Sequence, residues 1–186
     1  MLFTRYQHCI LICLLFLGST LYADTVSVCY HYGCRKTAQI NVSEQDKQQL
    51  KVYFTSVESP ESERAALKKA VWYLYQVAGQ QSPIYQDKRG NYKDRTAEGK
   101  MDCVDHSETD TAFLKYLNQI GLIQYHTILN PYYRLRRVVD LHYTSRIAEK
   151  ETNKQWVIDS WFYDFGTEPV VLTAEEWKNG WYPEDW

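Results

Sequence analysis

The stretch "GKMDCVDHSETDTAFLKYL", residues 99–117, sets one cysteine, Cys103, between two aspartates at what reads as the first turn of a helix. A thiol there is a structural side chain, half of a disulfide, or a nucleophile. Only the thiolate is a good nucleophile, and a free cysteine is mostly protonated at neutral pH. A helix N-terminus, a nearby histidine and shielding from water each activate it. Asp102 as N-cap supplies the first. Asp102 and Asp105 also work against it, because neighbouring negative charge raises a thiol pKa. A histidine partner is therefore required.

Past residue 23 the histidines are His31, His106, His126 and His142. His106 follows Cys103 by three residues on the same helix, a poor angle for in-line proton transfer. His126 falls within a strand and reads as a packed core side chain. His142 opens the strand "LHYTSRIAE", whose mate "QWVIDSWF" carries Asp159. Side chains alternate faces along a strand, so any plain two- or four-residue turn within Lys150–Asn153 puts His142 and Asp159 on one face. A turn centred between Lys150 and Glu151 makes them directly opposite, with Cβ atoms about 5 Å apart. One centred on Thr152 and Asn153 staggers them by four residues and separates them. Asp159 also sits among apolar neighbours, where an unpartnered carboxylate is costly. An arginine is an alternative partner, with Arg134, Arg136 and Arg137 close in sequence.

A cysteine at a helix start, a histidine strand and a following aspartate strand together resemble the transglutaminase-like branch of the papain-like cysteine peptidase superfamily. The resemblance covers about residues 60 to 165 and is carried by "MDCVDHSETDT", "LHYTSRIAE" and "WVIDSWF". It is nearest to bacterial transglutaminase-like cysteine proteinases and related exported proteobacterial proteins. It implies an α+β fold, with helices packed on an antiparallel sheet. It implies Cys103 as nucleophile, His142 as general base and acid, and Asp159 as orienter. Acyl transfer on a peptide or protein amide would follow, with the Cys103 N–H and Asn91 as oxyanion donors. Calcium dependence occurs in some relatives, but the scattered acidic residues here define no site, so no cofactor and no metal is expected. The chain is short, and a tyrosine follows His142 where many relatives carry a small residue or tryptophan. A non-catalytic exported binding or structural module with the same fold is the competing expectation.

The surrounding elements read as follows. Residues 1–23 have a short n-region with Arg5, an apolar run from Cys9 to Leu17 and a small-residue end at Ala23. That is the pattern of a secretory signal peptide. The run is far short of the roughly 20 residues that span a bilayer, so stable membrane insertion is not expected. Ile12 before Cys13 argues against a lipoprotein. Export to a periplasm or the medium follows, with a monomer acting on an envelope, cell-wall or secreted peptide substrate. In that oxidising setting Cys29 and Cys34 read as a local disulfide, which leaves Cys103 unpaired. A metal site built from that pair and His31 lacks an evident fourth ligand.

Residues 24–186 read as a single domain, with an N-terminal extension at 24–58 and a core at 59–186. The extension is extended chain followed by a helix capped by Ser43. A second helix starts at Ser59–Pro60 and stops near Gly79. A polar loop follows at 79–100, and then the Cys103 helix, starting at Asp102 or Ser107. The strands are "LIQYHTIL", "YRLRRVVD", "LHYTSRIAE" and "QWVIDSWF", then a short helix capped by Thr173. Net charge is −2, so no basic surface points to nucleic acid. The C-terminal tryptophans read as core and cover rather than a sugar platform.

Overall fold

A computed structural model describes residues 24–91, 98–136, 140–184 and 186. The signal-peptide expectation at 1–23 lies outside the described residues. The protein is mixed α+β, with two antiparallel sheets and four α-helices among those residues. None of the described helices is long and apolar enough to cross a membrane.

Strands β1 (Asp24–Tyr30) and β2 (Lys36–Val42) form a hairpin closed by the Cys29–Cys34 disulfide. Val26, Val28 and Tyr30 alternate inward and meet Ile40 and Val42 in the main core. The connecting turn is left-handed at His31, Tyr32, Gly33 and Cys34. That conformation is costly for side-chain-bearing residues. It aims the amides of Tyr32 and Cys34 at the Asp105 carboxylate, at 2.7 and 2.6 Å. The disulfide turn thus grips a residue two positions beyond Cys103.

Helix α1 (Glu44–Tyr53) starts with reciprocal capping by Ser43 and Asp46. Helix α2 (Pro60–Gln81) is capped by Ser59 with Pro60 in its first turn. Leu67, Ala70, Val71, Leu74 and Ala78 form its buried stripe. The helix runs two residues past Gly79, so this glycine is not the expected stop. A Cβ there would lie 2.4 Å from Phe165 Cζ, so the glycine admits a ring against the helix. The loop expected at 79–100 opens with this last helical turn and a 3-10 turn at Pro83–Gln86.

Helix α3 (Cys103–Gln119) begins at the cysteine itself, with Asp102 as N-cap. Asp102 accepts from Val104 and Asp105 amides, while Asp105 accepts from the Asp102 amide. Strands β3 (His126–Arg136), β4 (Asp140–Glu149), β5 (Gln155–Asp159) and β6 (Val170–Thr173) form an antiparallel sheet in that order. β3 takes in residues of both "LIQYHTIL" and "YRLRRVVD", which the sequence reading kept as separate strands. A register shift between Leu129 and Tyr132 absorbs Pro131, which has no N–H to give the ladder. Helices α2 and α3 cover one face of the sheet, burying Ile147 and Ile158 against Leu67 and Leu114. The other face buries Val157, Leu172 and Trp177, the last from helix α4 (Ala174–Lys178).

Candidate active site

The site forms where the start of α3 meets the far end of β4 and the end of β5. Cys103 is half-buried and unpaired, and it packs against the cluster containing Trp161, Phe162 and Trp177. The backbone amides of Tyr143 and of Cys103 itself lie close enough to its sulfur to favour the thiolate. Burial pushes the Cys103 thiol up to about 12; the Tyr143 amide opposes this, and the charges of Asp102 and Asp159 add to it.

His142 is 1% exposed and belongs to the same cluster's wall. Its ring lies 4.5 Å from Trp161, 5.2 Å from Phe162 and 5.4 Å from Trp177, centroid to centroid. Nε2 is 2.7 Å from Asp159 Oδ2. A carboxylate only accepts, so Nε2 carries the proton and the Nδ1 lone pair is free in the neutral ring. That Nδ1 is buried and has no hydrogen-bond partner among the described residues. The oriented imidazole and the Cys103 thiol thus pack on the same Trp161–Phe162–Trp177 cluster, without a hydrogen bond between them.

The register that joins His142 to Asp159 is neither of the two considered from sequence. Ser145 pairs with Ile158 and Ile147 with Trp156 across a turn at 150–153. Continuing that ladder sets Thr144 opposite Asp159, so His142 lies one diagonal step away on the same face. Diagonal Cα atoms are about 7–8 Å apart, within reach of an imidazole and a carboxylate leaning together.

Asp159, 1% exposed, is held from three sides. Besides His142, the Trp177 indole N–H donates to Oδ2 at 2.9 Å and the Trp161 amide donates to Oδ1 at 3.2 Å. Burial would raise its pKa, but the charge and hydrogen bond of His142, with those of Trp177 and Trp161, outweigh it and hold the carboxyl below its usual range. The arginine alternative is not realised by Arg134. That side chain is fully buried, gives Nη1 to the carbonyls of Trp177 and Trp181, and lies between the rings of Trp177 and Tyr182.

Of the other histidines, His31 in the disulfide turn also has a buried Nδ1 with no hydrogen-bond partner among the described residues, while His126 and His106 are satisfied. His126 gives Nδ1 to Glu63 at 2.8 Å, and its Nε2 is 3.4 Å from Arg64 Nη1. His106, passed over on grounds of angle, is buried with Nε2 on Asp87 at 2.9 Å and Nδ1 on Ser160 at 2.8 Å. Asn91 turns its side-chain N–H onto Asp87 at 2.9 Å, and its backbone carbonyl accepts from the Trp161 indole at 3.4 Å. Sequence reasoning missed Trp177, Ser160, Asp110 and the grip on Asp105. The only signal for the buried polar face of α3 was His106 and Asp110 four apart on one helix. Cys29 and Cys34 are bonded to each other, and no metal-binding cluster occurs among the described residues. Comparison with family models, with curated proteins and with solved structures finds no match to this chain.

Proposed function

We propose that this chain is an exported, thiol-dependent acyl-transfer enzyme acting on peptide or protein amide bonds, a cysteine peptidase or amidase on a papain-like, transglutaminase-like core. The observation that carries the reading is the buried Nδ1 of His142, unpartnered among the described residues, on a ring set by Asp159 and packed on the same aromatic cluster as Cys103. Burial keeps the proton on the resting thiol, so His142 acts as a base within the reaction rather than through a standing ion pair. Nδ1 takes the thiol proton as Sγ attacks the amide carbonyl, giving a tetrahedral oxyanion. The Cys103 N–H at the open start of α3 is its donor. The imidazolium returns the proton to the departing amine, the C–N bond breaks and a thioester remains. Water, deprotonated by the same Nδ1, releases the acid and restores the thiol. An amine in place of water gives transamidation.

The disulfide suits an oxidising compartment and supports export. The second reading, a non-catalytic exported module, draws on the same high thiol pKa. Iodoacetamide alkylation of Cys103 against pH, in the mature protein and in His142→Ala, separates the two, followed by turnover of a peptide-amide pool. The enzyme reading expects neutral-pH alkylation that His142→Ala slows by about a hundred-fold, within the usual range for general-base assistance. An unreactive thiol, indifferent to residue 142, would leave the binding module.

A further inference from the structure

A second set of buried polar groups lies behind the triad, and it joins the cysteine's helix to the aspartate's strand through a single serine. Cys103, His106 and Asp110 fall at positions i, i+3 and i+7 of α3, on one face. Ser160 directly follows Asp159, where the chain leaves the sheet. Its hydroxyl is 2.9 Å from both oxygens of Asp110, and its amide donates to Asp110 Oδ2 at 3.3 Å. The same hydroxyl is 2.8 Å from His106 Nδ1 and 2.8 Å from the Tyr75 hydroxyl of α2. His106 Nε2 reaches Asp87, whose Oδ1 accepts from the Met101 amide at 2.8 Å and from Asn91. The network therefore also holds both ends of the segment leading into Cys103.

Ser160, His106 and Asp87 have the order and spacing of a serine nucleophile, base and orienter, but they cannot work as one. Ser160 is 9% exposed and its hydroxyl is committed to Asp110. The adjoining cavity of about 10 Å³ has room for a water but not for a substrate.

Resting on the triad reading above, we propose that Asp110 and His106 are positioning residues: by clamping Ser160 they fix the Asp159 carboxylate against His142 and the start of α3 against both. Ser160 and Asp159 are adjacent, so slack in the serine's grip becomes rotation of the Asp159 peptide and works against the Trp161 and Trp177 bonds and the pairing with Val170. The groups facing Asp110 and His106 are Tyr75 from α2, Asp87 from the 3-10 segment, and Ser160 and Asp159 from the end of β5. Asp110 and His106 share one proton through Ser160. With the proton on His106, its Nδ1–H donates to Ser160 and the serine donates to Asp110. With the proton on Asp110, both donations reverse. Either arrangement holds the serine. Loss of that proton leaves two carboxylates and a neutral imidazole in one buried space, with Asp159 close by. Burial, which pushes Asp110 up to about 7, fits a proton retained near neutrality.

The test uses the full mature chain and three variants: Ser160→Ala, Asp110→Leu and Asp110→Asn. Asn keeps a side-chain acceptor for the serine and cannot titrate. Two readouts are taken on protein whose melting temperature lies above that of the measurement: the Cys103 alkylation rate against pH, and the low-field proton of His142 Nε2 by NMR. Positioning predicts that Ser160→Ala and Asp110→Leu lose or broaden the low-field proton. Their alkylation should fall about ten- to a hundred-fold, the scale of a misplacement near 1 Å. Asp110→Asn should keep both signals and lose only the inflection near pH 7. A sharp His142 proton and unchanged alkylation in folded Ser160→Ala and Asp110→Leu would overturn the proposal. If alkylation in the parent protein ignores His142→Ala, the triad reading fails instead, and the NMR signal still decides whether the clamp orients Asp159.

Discussion

His142–Asp159 and His106–Asp87 are two buried imidazole–carboxylate pairs on either side of the β5 end, at 2.7 and 2.9 Å. They differ in what the second ring nitrogen does. His106 Nδ1 meets Ser160 and Tyr75, so its ring is fully occupied. His142 Nδ1 has no hydrogen-bond partner among the described residues. A satisfied buried imidazole is a strut, because its proton moves only by reversing bonds it already makes and reaches no new partner. One with a vacant acceptor can take a proton without losing a partner. The pairs differ also in charge. Asp159 sits below the usual carboxylate range, held by its donors, while His106 is raised by Asp87 against the penalty of burial.

The hardest break of this comparison is Asp159→Ala. It leaves His142 Nε2 and the Trp177 indole N–H without an acceptor, so the ring loses its tautomer and its orientation. His142-dependent alkylation should fall about a hundred-fold or more, and stability by about 3 kcal/mol in denaturant melts. Glu63→Ala is the matched control. It strips four donors from a fully buried carboxylate: the amides of Gln124, Tyr125 and His126, and the His126 ring. It should cost stability on a similar scale and leave alkylation of the folded fraction unchanged, because His126 is a strut.

Trp177→Phe sharpens the comparison more gently. The ring stays, while the 2.9 Å bond to Asp159 is lost. Asp159 should titrate higher, alkylation should fall several-fold, and stability should fall by about 1–2 kcal/mol.

The smallest effect is a slope. Asp110 has a folded pKa of about 7, above its unfolded value, so the folded state holds the extra proton between about pH 4 and 7. Its contribution to stability is present below that window and lost as pH rises through it. His106, also raised, loses its contribution in the same direction. Stability of the parent protein minus that of Asp110→Asn should therefore decline from pH 4 to pH 7.5, on the order of 3 kcal/mol overall. A flat difference would mean that Asp110 is ionised in the fold throughout.

Local chemistry was readable in the residues. Ser43, Ser59 and Thr173 announced three helix starts and Asp102 was one of two candidates for a fourth, the other being Ser107, because capping needs only an oxygen two or three residues ahead of an amide. Alternation put His142 and Asp159 on one face for any even-length turn, whatever its exact centre. Cys29 and Cys34 are close enough in sequence to pair by themselves. What failed depended on distant neighbours. Gly79 read as a stop until Phe165 came to lie on it from 86 positions away, and "LIQYHTIL" and "YRLRRVVD" read as separate strands until β4 bridged Pro131.

Taken alone, then, the sequence determined the helix start that carries Cys103, the shared face of His142 and Asp159, and the local disulfide, since each depends on chain stereochemistry over a few residues. Tertiary structure decided the rest: the diagonal register that brings Nε2 to Asp159, the Trp177 indole that holds the carboxylate, the vacancy at His142 Nδ1 and the occupancy of His106. Whether a buried polar atom has a partner depends on which distant elements close around it, and no spacing along the chain encodes that.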